Sequence, residues 1–269
     1  MRNYCKIIGA LAAASAFAAG NASAVELDYN LHAGYSTQYL FRGNNLGQDL
    51  IEAGSDASAD LGNGSTISAG AWYGSFDAPA NLGLLGTGDA SRSTDELDLY
   101  AKFSQDLGWA TVSVGYIYYF NNQSDVDEFL FQTDDTQEIT FGISREFFGV
   151  DFGLTYYWEI EDGSVDGNVL PFTETGRTNN DGYTELTAAK SWELNSCLTL
   201  NVGSALGYLV ERGHLAHLTT KVSLDYEFAE HAQVSPFIAG SLDLSGGHGD
   251  YYGNSKNQLL GGVIVSVDF

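Results

Sequence analysis

Acidic residues recur at every second position in several otherwise apolar stretches of the chain. Glu26 and Asp28 flank Leu27, and Glu96 and Asp98 flank an apolar residue in the same way. Residues two apart lie on one face of an extended strand, so these carboxylates would form rows along a single surface. Such a surface attracts cations and repels anions. The chemistry it suggests is electrostatic selection of a solute, without making or breaking bonds.

Few basic residues share these acidic faces. Lys102 and Lys221 fall in the middle of their stretches, where each would either narrow a passage opposite the acids or pair with neighbouring carboxylates. Arg42 would either line one end of the surface or pair with Glu52 or Glu96. We expect pairing, which would lock the loop that follows Arg42. The residues expected to line the surface are Arg42, Glu52, Glu96, Asp98, Lys102, Glu138, Lys221 and Asp225.

Residues for catalysis form no recognisable set. His214 and His217 differ in strand parity, and His32 lies about 13 Å along a strand from Ser36. Groups distant in sequence could still meet, as in barrels that hydrolyse lipids, so a lipid hydrolase is kept as a minor alternative. The segment Asp162–Asn168 begins like a calcium loop but lacks the acidic residue expected at its twelfth position. We therefore expect no enzyme, no metal and no cofactor.

The whole chain is strongly acidic, with 35 Asp and Glu residues against 11 Lys and Arg and a net charge of −24. This charge would repel nucleic acids, so we exclude nucleic-acid partners. A disordered acidic protein is also disfavoured, because 13% of the residues are aromatic and 44% are hydrophobic.

Residues 1–24 have the composition of a cleaved secretory signal peptide. Two basic residues precede an apolar run over Ile7–Ala19, and the small residues of Ala22–Ala24 follow it. Cleavage would remove Cys5 and leave Cys197 without a partner for a disulfide. No other run of about 18 apolar residues occurs, so no transmembrane helix is expected. We expect residues 25–269 to form one domain.

The acidic faces must be positioned by strands, and twelve are predicted. Most are about 10 to 13 residues long, which is enough for a tilted strand to cross a bilayer. The predicted strands are Val25–Phe41, Leu50–Leu61, Ser65–Phe76, Thr94–Gln105, Ala110–Phe120, Thr136–Phe147, Phe148–Ile160, Tyr183–Trp192, Leu198–Val210, His217–Phe228, Ala232–Leu242 and Asn257–Phe269.

The connections distinguish between two folds that both alternate apolar and polar residues. A soluble β-sandwich would turn its apolar faces inward, whereas a membrane barrel would turn them to lipid. Tight connections such as Gly62–Gly64 and Glu193–Asn195 alternate with long polar ones such as Asp77–Ser93 and Glu161–Asp181. Short periplasmic turns and long outer loops are typical of outer-membrane barrels. The acidic faces would then line a lumen.

The last strand supports the barrel. Leu259, Val263, Val265 and Phe269 share one face, and the chain ends on the aromatic residue. In a soluble protein an apolar strand at a chain end would fray and invite aggregation. In an outer-membrane barrel it pairs with the first strand, and resemblance to that class implies that Phe269 is a signal for the barrel-assembly machinery.

Aromatic residues concentrate near strand ends, as in the girdles of membrane barrels. The predicted outer girdle consists of Tyr39, Phe41, Tyr73, Phe76, Tyr118, Phe120, Tyr156 and Trp158. The predicted periplasmic girdle consists of Trp109, Phe147, Phe148, Trp192, Tyr226, Phe228 and Phe269.

Two segments carry a family resemblance. Ser36–Gly43 (STQYLFRG) and Glu96–Tyr100 (ELDLY) resemble the opening pattern of the TorF-type porins, a small family of proteobacterial outer-membrane β-barrel proteins. The resemblance covers about the first third of the chain closely and the remainder by architecture. It implies a channel protein.

The sequence therefore predicts an all-β fold, a single antiparallel up-and-down transmembrane β-barrel of about twelve strands in the cell outer membrane. The expected function is passive diffusion of small polar solutes, preferably cationic or neutral. The alternatives are a closed structural or adhesive barrel with acidic loops and, less favoured, the lipid hydrolase. The expected partners are outer-membrane lipid, lipopolysaccharide, the assembly machinery and the solutes.

Overall fold

The computed structural model describes residues 27–78, 92–122, 135–160, 164–165, 168–169, 182–210, 213–245 and 256–269. Within these ranges twelve long strands close into one barrel, and two short strands pair separately. No helix in the described ranges is long and apolar enough to cross a membrane. The predicted signal peptide and Glu26 lie outside the described residues, as does most of the calcium-like segment.

The twelve barrel strands occur where the period-two patterns predict them, with one substantial difference. The second strand starts at Asn44, before the predicted Leu50. The barrel strands are β1 (Leu27–Phe41), β2 (Asn44–Gly62), β3 (Ser65–Ala78), β4 (Arg92–Asp106), β5 (Thr111–Asn122), β6 (Thr136–Phe147), β7 (Val150–Glu159), β10 (Tyr183–Asn195), β11 (Leu198–Leu209), β12 (His214–Ala229), β13 (Ala232–Asp243) and β14 (Gln258–Asp268), and the separate pair is β8 (Ser164–Val165) and β9 (Asn168–Val169).

Each barrel strand pairs antiparallel with the next, β7 with β10, and β14 with β1. The closing pair aligns Asn30 with Asp268 and Ser36 with Gly262. Backbone hydrogen bonds extend it, because Phe269 N donates to the carbonyl of Tyr29 over 2.9 Å. Closure satisfies both sheet edges, so the up-and-down barrel predicted from the sequence is confirmed.

Apolar side chains cover the outside of the barrel. Leu31, Phe141 and Leu186 are 47%, 48% and 46% exposed although they alternate with inward-facing polar residues. No second layer of protein covers this face in the described ranges, so lipid must cover it. The exposed apolar belt and the closed barrel together make this an outer-membrane protein and rule out the β-sandwich.

The two ends of the barrel differ. The first and last described residues, Leu27 and Phe269, and the tight turns lie at one end, which we name the turn end. Examples are the turns at Asn63 and Gly64 and at Phe148 and Gly149, in which both residues have positive φ. The opposite end, named the loop end, holds the strand ends that flank the long connections and the tip of the β1–β2 hairpin. In bacterial barrels the short turns face the periplasm.

Three aromatic residues predicted for the outer girdle lie inside the barrel. Tyr39 and Phe76 are buried in one cluster, with ring centroids 4.9 Å apart, and Phe41 packs against them. Leu50 and Trp72 complete the cluster. The girdle prediction is wrong for Tyr39 and Phe41 because the end of the β1–β2 hairpin bends into the lumen. It is wrong for Phe76 because this residue shares the inner face of β3 with Trp72.

Candidate functional site

The tip of the β1–β2 hairpin lies inside the loop end of the barrel. Phe41 pairs with Asn44, which leaves Arg42 and Gly43 as a two-residue turn. Their φ angles are 46° and 83°, as in a type I′ turn. A Cβ on Gly43 would lie 2.4 Å from the His217 side chain on β12. Glycine is therefore required both by the backbone and by this close approach to another strand.

Irregular pairing explains why the tip turns inward. The register shifts between Tyr39 and Leu40 on β1 and between Gln48 and Ile51 on β2. Asp49, within the second shift, has φ of 52°. Bulges of this kind bend strands and increase their twist. Residues 40–47 thus form a hairpin tip that departs from the barrel wall beyond the pair of Gln48 with Asp77 on β3.

Arg42 crosses the lumen to the opposite wall. Its Nη1 and Nη2 donate to Oε1 and Oε2 of Glu138 over 2.8 and 2.7 Å. Glu138 lies on β6, which is five places from β1 in the twelve-strand ring. Both side chains are only 7% exposed. Arg42 therefore pairs with a carboxylate, but with Glu138 and not with the expected Glu52 or Glu96.

Aromatic rings surround the Arg42 guanidinium. Its Cζ lies 4.5 Å from the ring centroid of Tyr183 and 4.6 Å from that of Tyr157. Phe41, on the hairpin itself, lies 4.8 Å away. The Tyr119 hydroxyl donates to Oε2 of Glu138 over 3.0 Å. We name Glu138, Tyr119, Tyr157 and Tyr183 the cage; they lie on β6, β5, β7 and β10, which are adjacent in the ring.

A chain of hydrogen bonds anchors one side of the cage. The Tyr183 hydroxyl lies 2.8 Å from both Glu185 Oε2 and His217 Nε2. His217 Nδ1 lies 2.9 Å from the Thr219 hydroxyl, which donates in turn to Ser241 over 2.9 Å. This chain joins β10, β12 and β13. It fixes the ring of Tyr183, and it places His217 under Gly43.

Two further carboxyl groups lie close to the hairpin. Glu96 is buried and accepts a hydrogen bond from the Tyr39 hydroxyl over 3.1 Å. Asp98 lies two residues along the same inner face, and its Oδ1 is buried with no hydrogen-bond partner in the described part of the chain. Both acids lie on β4 and add carboxyl groups to the wall beside the cage.

The other predicted lining residues also point inward. Glu52 accepts from Trp72 Nε1 over 2.8 Å, and Asp225 accepts from Asn201 Nδ2 over 2.7 Å. Lys221 Nζ lies 4.2 Å from the ring centroid of Phe237. Lys221 therefore contacts an aromatic ring that the sequence did not suggest as its partner. Lys102 aligns with Gly115 on the inner face and is exposed.

Solvent reaches the two halves of the lumen to different extents. Towards the turn end, the inward-facing Asp28, Lys102, Glu227 and Asp268 are exposed. Towards the loop end, Glu138 is buried among aromatic rings. These inward-facing side chains are therefore accessible to solvent at the turn end, whereas the lumen is packed around the hairpin tip.

The histidines do not assemble a catalytic serine site in the described ranges. His217 bonds to Thr219 and Tyr183, and Ser241 is reached only through Thr219. His217 and Ser241 are both buried. His32 lies 3.9 Å from Asp56 instead.

Sequence reasoning missed the aromatic part of the cage. Tyr157 lies between Tyr156 and Trp158, both of which alternate outward, so its parity already placed an aromatic ring on the inner face. Tyr119 and Tyr183 have the same inward parity. An aromatic residue among lumen-facing polar residues was the signal available.

Solved structures with similar folds are outer-membrane barrels. The COG4313 outer membrane channel from Pseudomonas putida F1 has a TM-score of 0.52 at 10% identity, covering 93% of this chain and 97% of that chain. The KdgM porin has a TM-score of 0.49 at 9% identity, covering 89% of this chain and 99% of that chain. The outer membrane phospholipase A from Escherichia coli has a TM-score of 0.46 at 14% identity, covering 90% of this chain and 92% of that chain. At these identities the likeness shows the fold alone.

No family model matches this sequence, and no curated protein matches it either.

Proposed function

We propose that this protein is a narrow, porin-like channel of the outer membrane for passive diffusion of small polar solutes, preferably cationic or neutral. The observation that carries the proposal is the composition of the inner wall. Glu52 and Asp56 on β2, Asp225 on β12 and Asp268 on β14 all face inward. Carboxylates that share an enclosed aqueous space concentrate cations and exclude anions.

The dimensions of the barrel fit a narrow path. Twelve strands lie between the eight-stranded barrels, whose interior is filled by side chains, and the porins of 16 or more strands, which enclose wide channels. Gly203, which aligns with Lys221 on the inner face, leaves space along the wall, because no atom lies within 4 Å of its would-be Cβ. The hairpin tip occupies the loop end, and the constriction is assigned there.

The resemblance of Ser36–Gly43 to TorF-type porins supports the same function, and we include membership of that family in the proposal. Secretion through a signal peptide in residues 1–24, recognition of Phe269 by the assembly machinery and contact of the loops with lipopolysaccharide belong to the proposal as well.

Single-channel recording of the refolded protein tests the channel and its selectivity. We expect a steady conductance and a reversal potential in a KCl gradient that indicates cation preference. Lys102→Glu should increase that preference, because it replaces an inward-facing positive charge by a negative one. Arg145→Glu is the matched control, since Arg145 aligns with Phe152 on the outer face and should leave selectivity unchanged.

The closed structural barrel is the alternative, and the packing around Arg42 gives it some support. A barrel that shifts in SDS gels on heating, and is therefore folded, yet carries no current would disprove the channel and favour this alternative. Equal effects of Lys102→Glu and Arg145→Glu would show that selectivity does not arise at the inner wall.

A further inference from the structure

We propose that the cage is a binding site for the guanidinium group of a solute, and that Arg42 occupies this site in the structure as an internal ligand. The inference rests on the proposed channel function, since the lumen is the solute's route to the cage. It assigns a substrate class, small guanidinium compounds, to a site formed by Glu138, Tyr119, Tyr157 and Tyr183.

The geometry of the cage fits a guanidinium group better than an ammonium group. Glu138 accepts two parallel hydrogen bonds of 2.8 and 2.7 Å, which match the planar fork of a guanidinium. The rings of Tyr157 and Tyr183 lie 4.6 and 4.5 Å from Cζ, within the range of cation–π attraction. An ammonium ion is a point charge and would use only part of this arrangement.

The cage is built independently of Arg42. Tyr119 hydrogen-bonds to Glu138, and Tyr183 is fixed by Glu185 and His217, all from strands of the barrel wall. Arg42 arrives from the hairpin tip, whose base is irregular on both strands. Displacement of the tip would leave these wall residues in place but remove the cation that neutralises the Glu138 carboxylate. That state is unfavourable, so a cation of the same shape should replace Arg42.

Competition with Arg42 determines the apparent affinity. A tethered side chain acts as a ligand at an effective concentration on the order of millimolar or higher. External guanidinium compounds should therefore bind weakly to the wild-type protein and more tightly when Arg42 is shortened. This order of affinities distinguishes a binding site from a purely structural ion pair.

The test compares the wild-type protein, Arg42→Ala and Arg42→Ala/Glu138→Gln, with methylguanidinium as the probe and neutral methylurea as its control. We expect methylguanidinium to raise the temperature of the heat-induced gel shift of Arg42→Ala and to reduce its single-channel current. For the same response, the wild-type protein and the double variant should need at least about tenfold more methylguanidinium than Arg42→Ala. This ratio is equivalent to about 1.4 kcal/mol of binding free energy. Methylurea should have no effect.

A variant that fails to fold still gives an answer. If Arg42→Ala folds only when methylguanidinium is present during refolding, the cage binds the probe. If methylguanidinium does not restore folding while the double variant folds unaided, the inference is wrong. It is also wrong if Arg42→Ala and the double variant respond equally, or if methylurea acts like methylguanidinium.

The channel proposal is judged by separate data. KCl conductance of the wild-type protein requires no guanidinium compound. Conductance without a probe response in Arg42→Ala would disprove the cage site alone. A thermal response of Arg42→Ala in a protein that never conducts would disprove the channel and leave the cage as a binding site.

Discussion

At the scale of single residues, the ion pair of Arg42 and Glu138 is a buried interaction that joins the hairpin tip to the barrel wall. Both side chains are almost fully removed from solvent, and each satisfies the other with two hydrogen bonds. A buried ion pair of this kind adds little net stability compared with apolar residues in the same place. Loss of one partner, however, leaves the other as an unpaired buried charge. The pair therefore specifies where the hairpin tip lies more than it stabilises the barrel.

A double-mutant cycle checks this. Removal of one partner, in Arg42→Ala or Glu138→Gln, should lower the free energy of unfolding by about 3–5 kcal/mol where a charge is left buried. The double variant should lose less than the two single variants together. The measurement is urea unfolding in lipid vesicles, with Arg145→Ala on the outer face as control. Additive single effects would contradict direct coupling between Arg42 and Glu138.

At the scale of elements, the β1–β2 hairpin differs from the other described hairpins in bending into the lumen. Gly43 allows this, because it combines φ of 83° with direct contact to His217. Gly62, in a turn-end hairpin, has φ of 82° but no atom within 4 Å of its would-be Cβ. The two glycines share a backbone conformation and differ in packing.

Alanine at these two positions separates strain from packing. Each substitution should cost about 1–3 kcal/mol for the positive φ. Gly43→Ala should in addition push the tip away from His217 and raise the single-channel conductance, whereas Gly62→Ala should leave conductance unchanged. In combination with Gly43→Ala, His217→Ala should suppress the increase in conductance, because it removes the side chain that the new methyl group would meet. Equal conductance of the two glycine variants would show that the tip does not limit the current.

The strands were predictable from the sequence, whereas the bend of the hairpin was not. Alternation over ten or more residues is a local property, so it identified all twelve barrel strands. The start of β2 was missed because Asn44–Gln48 has Leu46 as its only large apolar residue, contains Gly47 and shows no alternation. The position of the tip depends on His217 and Glu138, which are remote in sequence. No local pattern contains that information, although the inward parity of Tyr157 was a partial signal.

At the scale of the whole molecule, the twelve barrel strands form one closed sheet, and this sheet is complete only when β1 pairs with β14. Phe269 ends the chain with its side chain 69% exposed on the outer face and its backbone paired with Tyr29. Two backbone hydrogen bonds, of 3.2 and 2.9 Å, join the two residues. Phe269 thus contributes to closure through its backbone, and its exposed side chain is accessible to act as the proposed assembly signal.

Deletion of Phe269 distinguishes these contributions. The loss of two backbone hydrogen bonds should cost about 1–3 kcal/mol, so the shortened chain should still fold in lipid vesicles without other proteins. In cells, where the terminal aromatic would be read by the assembly machinery, the amount of folded barrel should fall several-fold. The measurement is the heat-modifiable fraction in gels, and Phe269→Tyr, which keeps the backbone and an aromatic ring, is the control. Unchanged assembly in cells would contradict the signal, while failure in vesicles as well would assign the effect to closure of the barrel.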